Sequence, residues 1–90
     1  MKSLTDSERE ELRHVVLEIL AVRHPAALPV HSVARHARTA MGIEIPESDV
    51  TAACELLRGF AFADFSMDEL GATKYWRATS AGVLKYERRS

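Results

Sequence analysis

The spacing of the apolar residues changes near residue 60, and this change limits the fold more than any other feature of the chain. Before it, apolar residues recur at intervals of three and four, which is typical of amphipathic helices. After it, FAFADF (60–65) and KYWRA (74–78) alternate roughly and are rich in aromatic residues, which is typical of strands. The sequence therefore predicts a mostly helical segment up to about residue 60, followed by a short β-hairpin.

The first predicted helix has a clear beginning and end. It runs from about Thr5 to His24. Thr5 or Ser7 can cap its N-terminus, and Thr5 with Glu8 has the spacing of a capping box. Pro25 ends it, because proline disfavours helical geometry in the residue before it. The segment AALPV (26–30) then reads as a short extended stretch that pairs only at a sheet edge, since its proline cannot donate to a neighbour.

Two further helices are predicted before the hairpin. Helix two covers about 32–41 and ends at Gly42, a residue that readily takes the left-handed conformation at a helix end. Helix three begins near Pro46 or Ser48 and closes at Gly59. Its inward face is formed by apolar residues at helical spacing, namely Val50, Ala53, Cys54 and Leu57.

The hairpin leads into a last short helix. MDELGAT (67–73) is polar and contains a glycine, which suits the hairpin loop. Thr79 or Ser80 is placed to cap the final helix, SAGVLKYERR. The predicted order is helix, short strand, helix, helix, strand, loop, strand, helix.

This order, with two short motifs, resembles the winged helix-turn-helix domain. LLRGF (56–60) is similar to the exit of the family's third helix, and in WRATSAG (76–82) Trp76, Thr79 and Gly82 match the end of its wing. Ala78 stands where leucine is usual. The resemblance covers about 8–88 and implies an α+β, mostly α, fold: a three-helix bundle with a two- to three-stranded β-wing and a short C-terminal helix. We expect one domain, 1–90, with an acidic N-terminal lead, 1–6, and a basic C-terminal tail, 85–90.

The resemblance leaves two functions open. Many winged-helix domains are transcription regulators that place helix three in the major groove, whereas others use the same surfaces to hold proteins, and fold alone does not choose. The net charge is −1, without the overall basicity of most nucleic-acid binders. The outward face of helix three offers none of the Arg, Lys, Asn or Gln side chains that read guanine and adenine.

Candidate contacts follow for both functions. Basic and hydroxyl side chains on helix two, helix three, the return strand and the tail are the candidate nucleic-acid contacts: Arg35, Arg38, Ser48, Thr51, Lys74, Arg77, Lys85, Arg88 and Arg89. Acidic and aromatic side chains of helix three and the wing are the candidate protein-interface residues: Glu47, Asp49, Glu55, Phe62, Phe65, Asp68, Glu69 and Trp76. A second interface, for self-association, is predicted on helix one, with Leu4, Leu12, Val16 and Val22.

No catalytic, metal or cofactor constellation is recognisable. Cys54 is the sole cysteine and lies on the predicted apolar face, so we expect a core thiol and a reducing, cytoplasmic location. The four histidines are scattered, and no apolar run has the length of a membrane span. The sequence favours a non-enzymatic module, without cofactor, small-molecule substrate or membrane, that docks a protein partner or forms a homodimer. The alternative is a small regulator that binds double-stranded DNA.

Overall fold

The first helix is fixed at its N-terminus by the predicted capping box. In the computed structural model, which describes residues 3–89, Thr5 precedes α1 (Asp6–Arg23). Thr5 Oγ1 accepts from the Glu8 amide at 3.1 Å, and the Thr5 amide donates to the Glu8 carboxylate at 2.9 Å. The capping box is therefore confirmed. The ends of the predicted lead and tail, residues 1–2 and 90, lie outside the described residues.

Three more helices follow: α2 (Val30–Met41), α3 (Glu47–Gly59) and α4 (Ser80–Glu87). α2 begins two residues before the predicted start, because Pro29, in extended geometry with φ −69° and ψ 158°, takes the N-cap position. α2 ends at Gly42, whose φ of 68° is the left-handed conformation predicted for it. Thr79 caps α4 by accepting a hydrogen bond from the Gly82 amide at 3.0 Å, as expected.

Three antiparallel strands form one sheet with the order β1–β3–β2. They are β1 (Leu28–Pro29), β2 (Ala63–Met67) and β3 (Lys74–Ala78). The proline-containing strand β1 lies at an edge, as predicted, and β3 has the predicted bounds. Leu28 and Phe65 both lie opposite Trp76, so the three side chains share the inner face of the sheet.

The exit of α3 differs from the prediction. Gly59 is the last helical residue rather than the stop, and the left-handed position falls on Ala61, with φ 64°. The Ala61 amide donates to the Arg58 carbonyl and the Phe62 amide donates to the Leu57 carbonyl, both at 2.9 Å. These two bonds define a Schellman motif, with alanine at the position where glycine is usual.

This motif also corrects the predicted bounds of the hairpin. The turn occupies residues 60–62, so β2 begins at Ala63 and not at residue 60, as the alternating aromatic pattern indicated. β2 then extends to Met67, which the sequence placed in the loop, and the loop is 68–73. Alternation of aromatic residues could not distinguish a strand from a helix-closing turn, because the turn is defined by backbone conformation.

The core lies between the first three helices and the inner face of the sheet. It includes most of the residues that were predicted to form a surface on helix one. Leu4, Leu12 and Val16 are all buried in the core, so their assignment to a self-association surface is wrong. Val22 alone of that set is exposed. Leu12 and Val16 are buried because α1 is covered on several sides, by α2, α3, α4 and β3, and Leu4 lies just before this helix.

A close contact joins the exit of α3 to the start of α4. The Thr79 hydroxyl donates to the Ala61 carbonyl at 2.7 Å, and the Thr79 amide donates to the Phe62 carbonyl at 3.0 Å. Gly82 lies directly on the backbone of Phe62, so that a Cβ at this position would overlap the Phe62 carbonyl oxygen. Thr79 and Gly82 of the WRATSAG motif therefore have a structural explanation.

We predict that Gly82→Ala lowers the free energy of unfolding by about 1–3 kcal/mol, because the methyl group meets backbone that cannot move independently. Gly59→Ala is the matched control, since a Cβ there meets nothing within 4 Å, and it should leave stability unchanged or raise it by up to about 1 kcal/mol. Urea unfolding followed by circular dichroism measures both. Equal effects of the two substitutions would contradict the proposed contact.

We also predict that Ala61→Gly stabilises the protein by about 0.5–1 kcal/mol, because glycine takes a positive φ without the steric cost that alanine has. Ala52→Gly, at an exposed site within α3, should instead cost about 1 kcal/mol. Thermal unfolding of the two variants tests the assignment. A loss of stability in both would show that residue 61 is not left-handed.

Candidate nucleic-acid interface

The outward face of α3 is mostly small and uncharged at its centre. Val50, Ala53, Cys54 and Leu57 are buried, as predicted, which turns the opposite side of the helix outward. Among the outward residues, Ser48 and Ala52 are exposed and Thr51 is half-buried. Glu47 and Asp49 lie in the first turn, where negative charge interacts favourably with the positive end of the helix dipole.

Glu55, the third carboxylate of this helix, is paired with two cations. One of its carboxylate oxygens lies 3.6 Å from the Arg58 guanidinium and the other lies 3.3 Å from the Lys74 ammonium. Lys74 is 19 residues away along the chain, at the loop end of β3, so no local sequence pattern indicates this contact. The acidic charge of Glu55 is thus balanced where α3 meets the wing.

Both cations also lie against one aromatic ring. The Arg58 guanidinium carbon is 5.0 Å and the Lys74 nitrogen 4.5 Å from the centroid of Phe65, which itself packs against Trp76 at 5.2 Å between centroids. We call Glu55, Arg58, Phe65 and Lys74 the α3–wing cluster. Sequence reasoning missed Arg58, because one arginine in an acidic helix carried no signal.

The acidic tip of the wing is organised by one of its own carboxylates. Asp68 Oδ1 accepts from the Ala72 amide at 2.8 Å, and the Asp68 carbonyl accepts from Gly71 at 2.9 Å. Asp68 is therefore half-buried and holds the loop, whereas Glu69 and Leu70 are exposed. Asp68 and Glu69 are the two predicted acidic contacts at the tip, and of these Asp68 also stabilises the loop.

The remaining basic candidates near α2 and the sheet differ in their availability. Arg35 is exposed on α2. Arg38 is half-buried, and its Nε donates to the carbonyl of Ile45 at 2.8 Å, which ties α2 to the link before α3. Arg77 is exposed opposite Asp64, and the alternation of β3 places it on the face of the sheet away from Trp76. Arg35 is thus the freest of the three, and Lys74 rather than Arg77 is brought to α3.

The described part of the basic tail, residues 85–89, lies against α1 and not in the α3–wing cluster. The Tyr86 hydroxyl donates to Glu18 at 3.1 Å, and the Arg89 guanidinium stacks on the Tyr86 ring at 3.8 Å. Lys85 and Arg88 are exposed along the same cleft between α1 and α4. The structure therefore does not bring the tail candidates together with the basic residues of the α3–wing cluster.

The aromatic part of the predicted protein interface is mostly core. Trp76 is only 1% exposed, so its assignment to an interface is wrong; it faces inward because it occupies the central strand, beneath α1 and α2. Phe62 and Phe65 are half-buried and pack against the core. Among the described residues, Phe60 is the one aromatic side chain that is largely exposed, at 60%.

In the part of the chain that the structure describes, two titratable side chains have shifted pKa values. Burial, and to a smaller extent the charge of Glu55, raises the pKa of the Cys54 thiol to about 12. Partial burial, followed by the charges of Arg23 and Arg35, lowers the pKa of His36. Within residues 3–89, no three His, Cys, Asp or Glu side chains are grouped closely enough to bind a metal ion, and no helix has the length and hydrophobicity for crossing a membrane.

Solved structures with the same fold include transcriptional regulators. A transcriptional regulator from Clostridium thermocellum, Cth-833, matches 98% of this chain and 84% of its own, with a TM-score of 0.75 and 17% identity. A MarR-family transcriptional regulator from Silicibacter pomeroyi matches 91% of this chain and 53% of its own, at a TM-score of 0.69 and 20% identity. A double mutant of Lactococcus lactis ZitR, in apo form, matches 92% of this chain and 57% of its own, with a TM-score of 0.71 and 15% identity.

These likenesses confirm the winged-helix fold with its four helices and three-stranded antiparallel sheet. The chain spans a little over half the length of the ZitR and Silicibacter pomeroyi chains. No protein-family model matches the sequence, and no curated protein matches it either.

The pKa shift of Cys54 predicts a thiol that is inert in the folded protein. At pH 8, Ellman's reagent should leave the native protein unlabelled and label the protein fully in urea, because reaction requires an exposed thiolate. Since the folded-state pKa is raised, stability should also fall as the pH rises above the ordinary thiol pKa. Rapid labelling under native conditions would contradict this placement.

Proposed function

We propose that this chain is the DNA-binding domain of a transcriptional regulator, and that it presents α3 and the wing to duplex DNA. The observation that carries the proposal is the likeness of nearly the whole chain, at TM-scores of 0.69 and 0.75, to two proteins described as transcriptional regulators. This supports the DNA-binding alternative over the protein-docking interpretation that the sequence favoured.

The main electrostatic objection to DNA binding is weaker in the folded chain than in the sequence. Glu55 is paired with Arg58 and Lys74, so these three side chains carry a net positive charge. Asp68 is engaged in the wing loop, and the α3 carboxylates in the first turn lie beside the positive end of the helix dipole. Such a face repels phosphate less than its content of Asp and Glu indicates.

The protein-docking interpretation has lost part of its basis. Three of the four residues of its helix-one surface are buried, Val22 being the exception, and its largest aromatic residue, Trp76, is buried as well. Glu47 and Glu69 remain exposed, and docking or self-association through them stays a prediction.

The α3 face supports positioning on DNA better than strong sequence discrimination. Ser48 and Thr51 carry hydroxyls that bond to phosphates or bases, but they form none of the bidentate pairs by which Arg reads guanine or Asn reads adenine. Arg35, exposed on α2, supplies a phosphate contact that carries no sequence information. We therefore propose binding that depends on salt and discriminates modestly between sequences, without enzymatic activity.

The test is fluorescence anisotropy of a labelled random duplex, titrated with the protein at several salt concentrations. Arg35→Ala should weaken binding and reduce the slope of log affinity against log salt by about 1, the share of one phosphate contact. Arg88→Ala is the matched control: it removes the same charge from an exposed site on the α1 side of α4, and it should change neither quantity.

Two outcomes contradict the proposal. Absence of duplex binding by the wild-type protein at low salt rejects DNA binding by this chain. Weakening by Arg88→Ala, with Arg35→Ala unchanged, would place the duplex on the tail instead. Arg38→Ala is a poorer test, because it also removes the hydrogen bond to Ile45 and is expected to destabilise the fold.

A further inference from the structure

We infer that Arg58 and Lys74 form a phosphate-binding site, and that Glu55 occupies this site in the free protein as an internal substitute for the phosphate. The inference rests on the proposed function for the source of the phosphate, which is the DNA backbone. Glu55 then limits how tightly the domain holds DNA of any sequence.

The geometry around Glu55 is that of an anion bridging two cations. One carboxylate oxygen faces the Arg58 guanidinium at 3.6 Å, and the other faces the Lys74 ammonium at 3.3 Å. Arginine and lysine both bind phosphate through charge-assisted hydrogen bonds. A phosphate likewise offers separate oxygens to the two groups, so it can take the place of the carboxylate.

The two cations have a support that does not depend on Glu55. Both lie over the ring of Phe65, and the Lys74 nitrogen is also 5.9 Å from the ring centroid of Trp76, which belongs to the core. Attraction to the negative faces of these rings holds the cations in place when the carboxylate leaves. The site is thus formed before the ligand arrives.

Glu55 is bound weakly enough to be displaced. The side chains of Glu55 and Lys74 are each 40% exposed and that of Arg58 is 51% exposed, and exposed ion pairs contribute little because water and salt screen them. A DNA phosphate brings the field of its neighbours along the strand, whereas Glu55 is a single charge. The duplex therefore displaces the carboxylate, but the competition lowers its affinity.

The site also has the right place for a backbone contact. Arg58 is in the last turn of α3, and Lys74 is the first residue after the wing loop. The cluster therefore lies at the junction of the helix and the wing. When a duplex lies on α3 and contacts the wing, its phosphate backbone crosses this junction. The site would add contact along the backbone and not base recognition.

The experiment replaces Glu55 with glutamine, which keeps the shape and removes the charge. Glu55→Gln should bind the random duplex more tightly than the wild type and steepen the salt dependence by about 0.9 for each phosphate newly neutralised. Glu47→Gln is the matched control, because it removes the same charge from α3 at an exposed carboxylate that makes no ion pair within residues 3–89. Thermal unfolding checks that both variants stay folded.

The double variant Glu55→Gln with Lys74→Ala separates the site from a general charge effect. The site is supported if Glu55→Gln raises the affinity for the duplex more than Glu47→Gln does, and if this increase disappears in the double variant. Equal gains from the two glutamine variants overturn it while leaving DNA binding intact.

The proposed function fails if neither the wild-type protein nor the Glu55→Gln variant binds the duplex. A second experiment then tests the phosphate site without DNA. Inorganic pyrophosphate is then titrated into wild-type and Glu55→Gln protein and followed by NMR. Shifts of the Arg58 and Lys74 side-chain signals that are larger in the variant support a phosphate site closed by Glu55. Identical behaviour of the two proteins overturns it.

Discussion

The fold depends on one close contact, where the first turn of α4 lies on the backbone of Phe62. Gly82 permits this approach because it has no Cβ, and Thr79 fixes it with its hydroxyl and its amide. The contact joins the Schellman turn at the end of α3 to the residues that directly follow β3. The two chain segments that lead into and out of the wing are therefore joined at its base, and the wing has a defined direction relative to α3.

This constraint determines which charges meet. With β3 held at the centre of the sheet, its inward residues alternate from Ala78 through Trp76 to Lys74, and the last of these reaches Glu55 on α3. Arg77, on the opposite face, does not take part. The acidic appearance of α3 in the sequence is consequently reduced in the folded chain, since the charge of Glu55 is balanced by residues on either side of it.

Local signals in the sequence predicted local structure well. The capping box at Thr5, the helix end at Gly42 and the bounds of β3 are confirmed. Where the prediction failed, the deciding interaction was distant or conformational: Ala61 closes α3 without a glycine, and burial of Trp76 follows from strand order. The candidate site was predictable only as a list of charged residues, because the pairing that gives it meaning spans the distance from α3 to the wing.

The most direct test of this account is to record amide NMR shifts of the protein as a random duplex is added at low salt. We predict that the shifts concentrate on the outer side of α3, around Ser48 and Thr51, on Arg35 of α2 and at the junction of α3 with Lys74. Shifts confined to the cleft between α1 and α4, around Lys85 and Arg88, would contradict the proposed interface. An unchanged spectrum at saturating duplex would reject DNA binding by this chain.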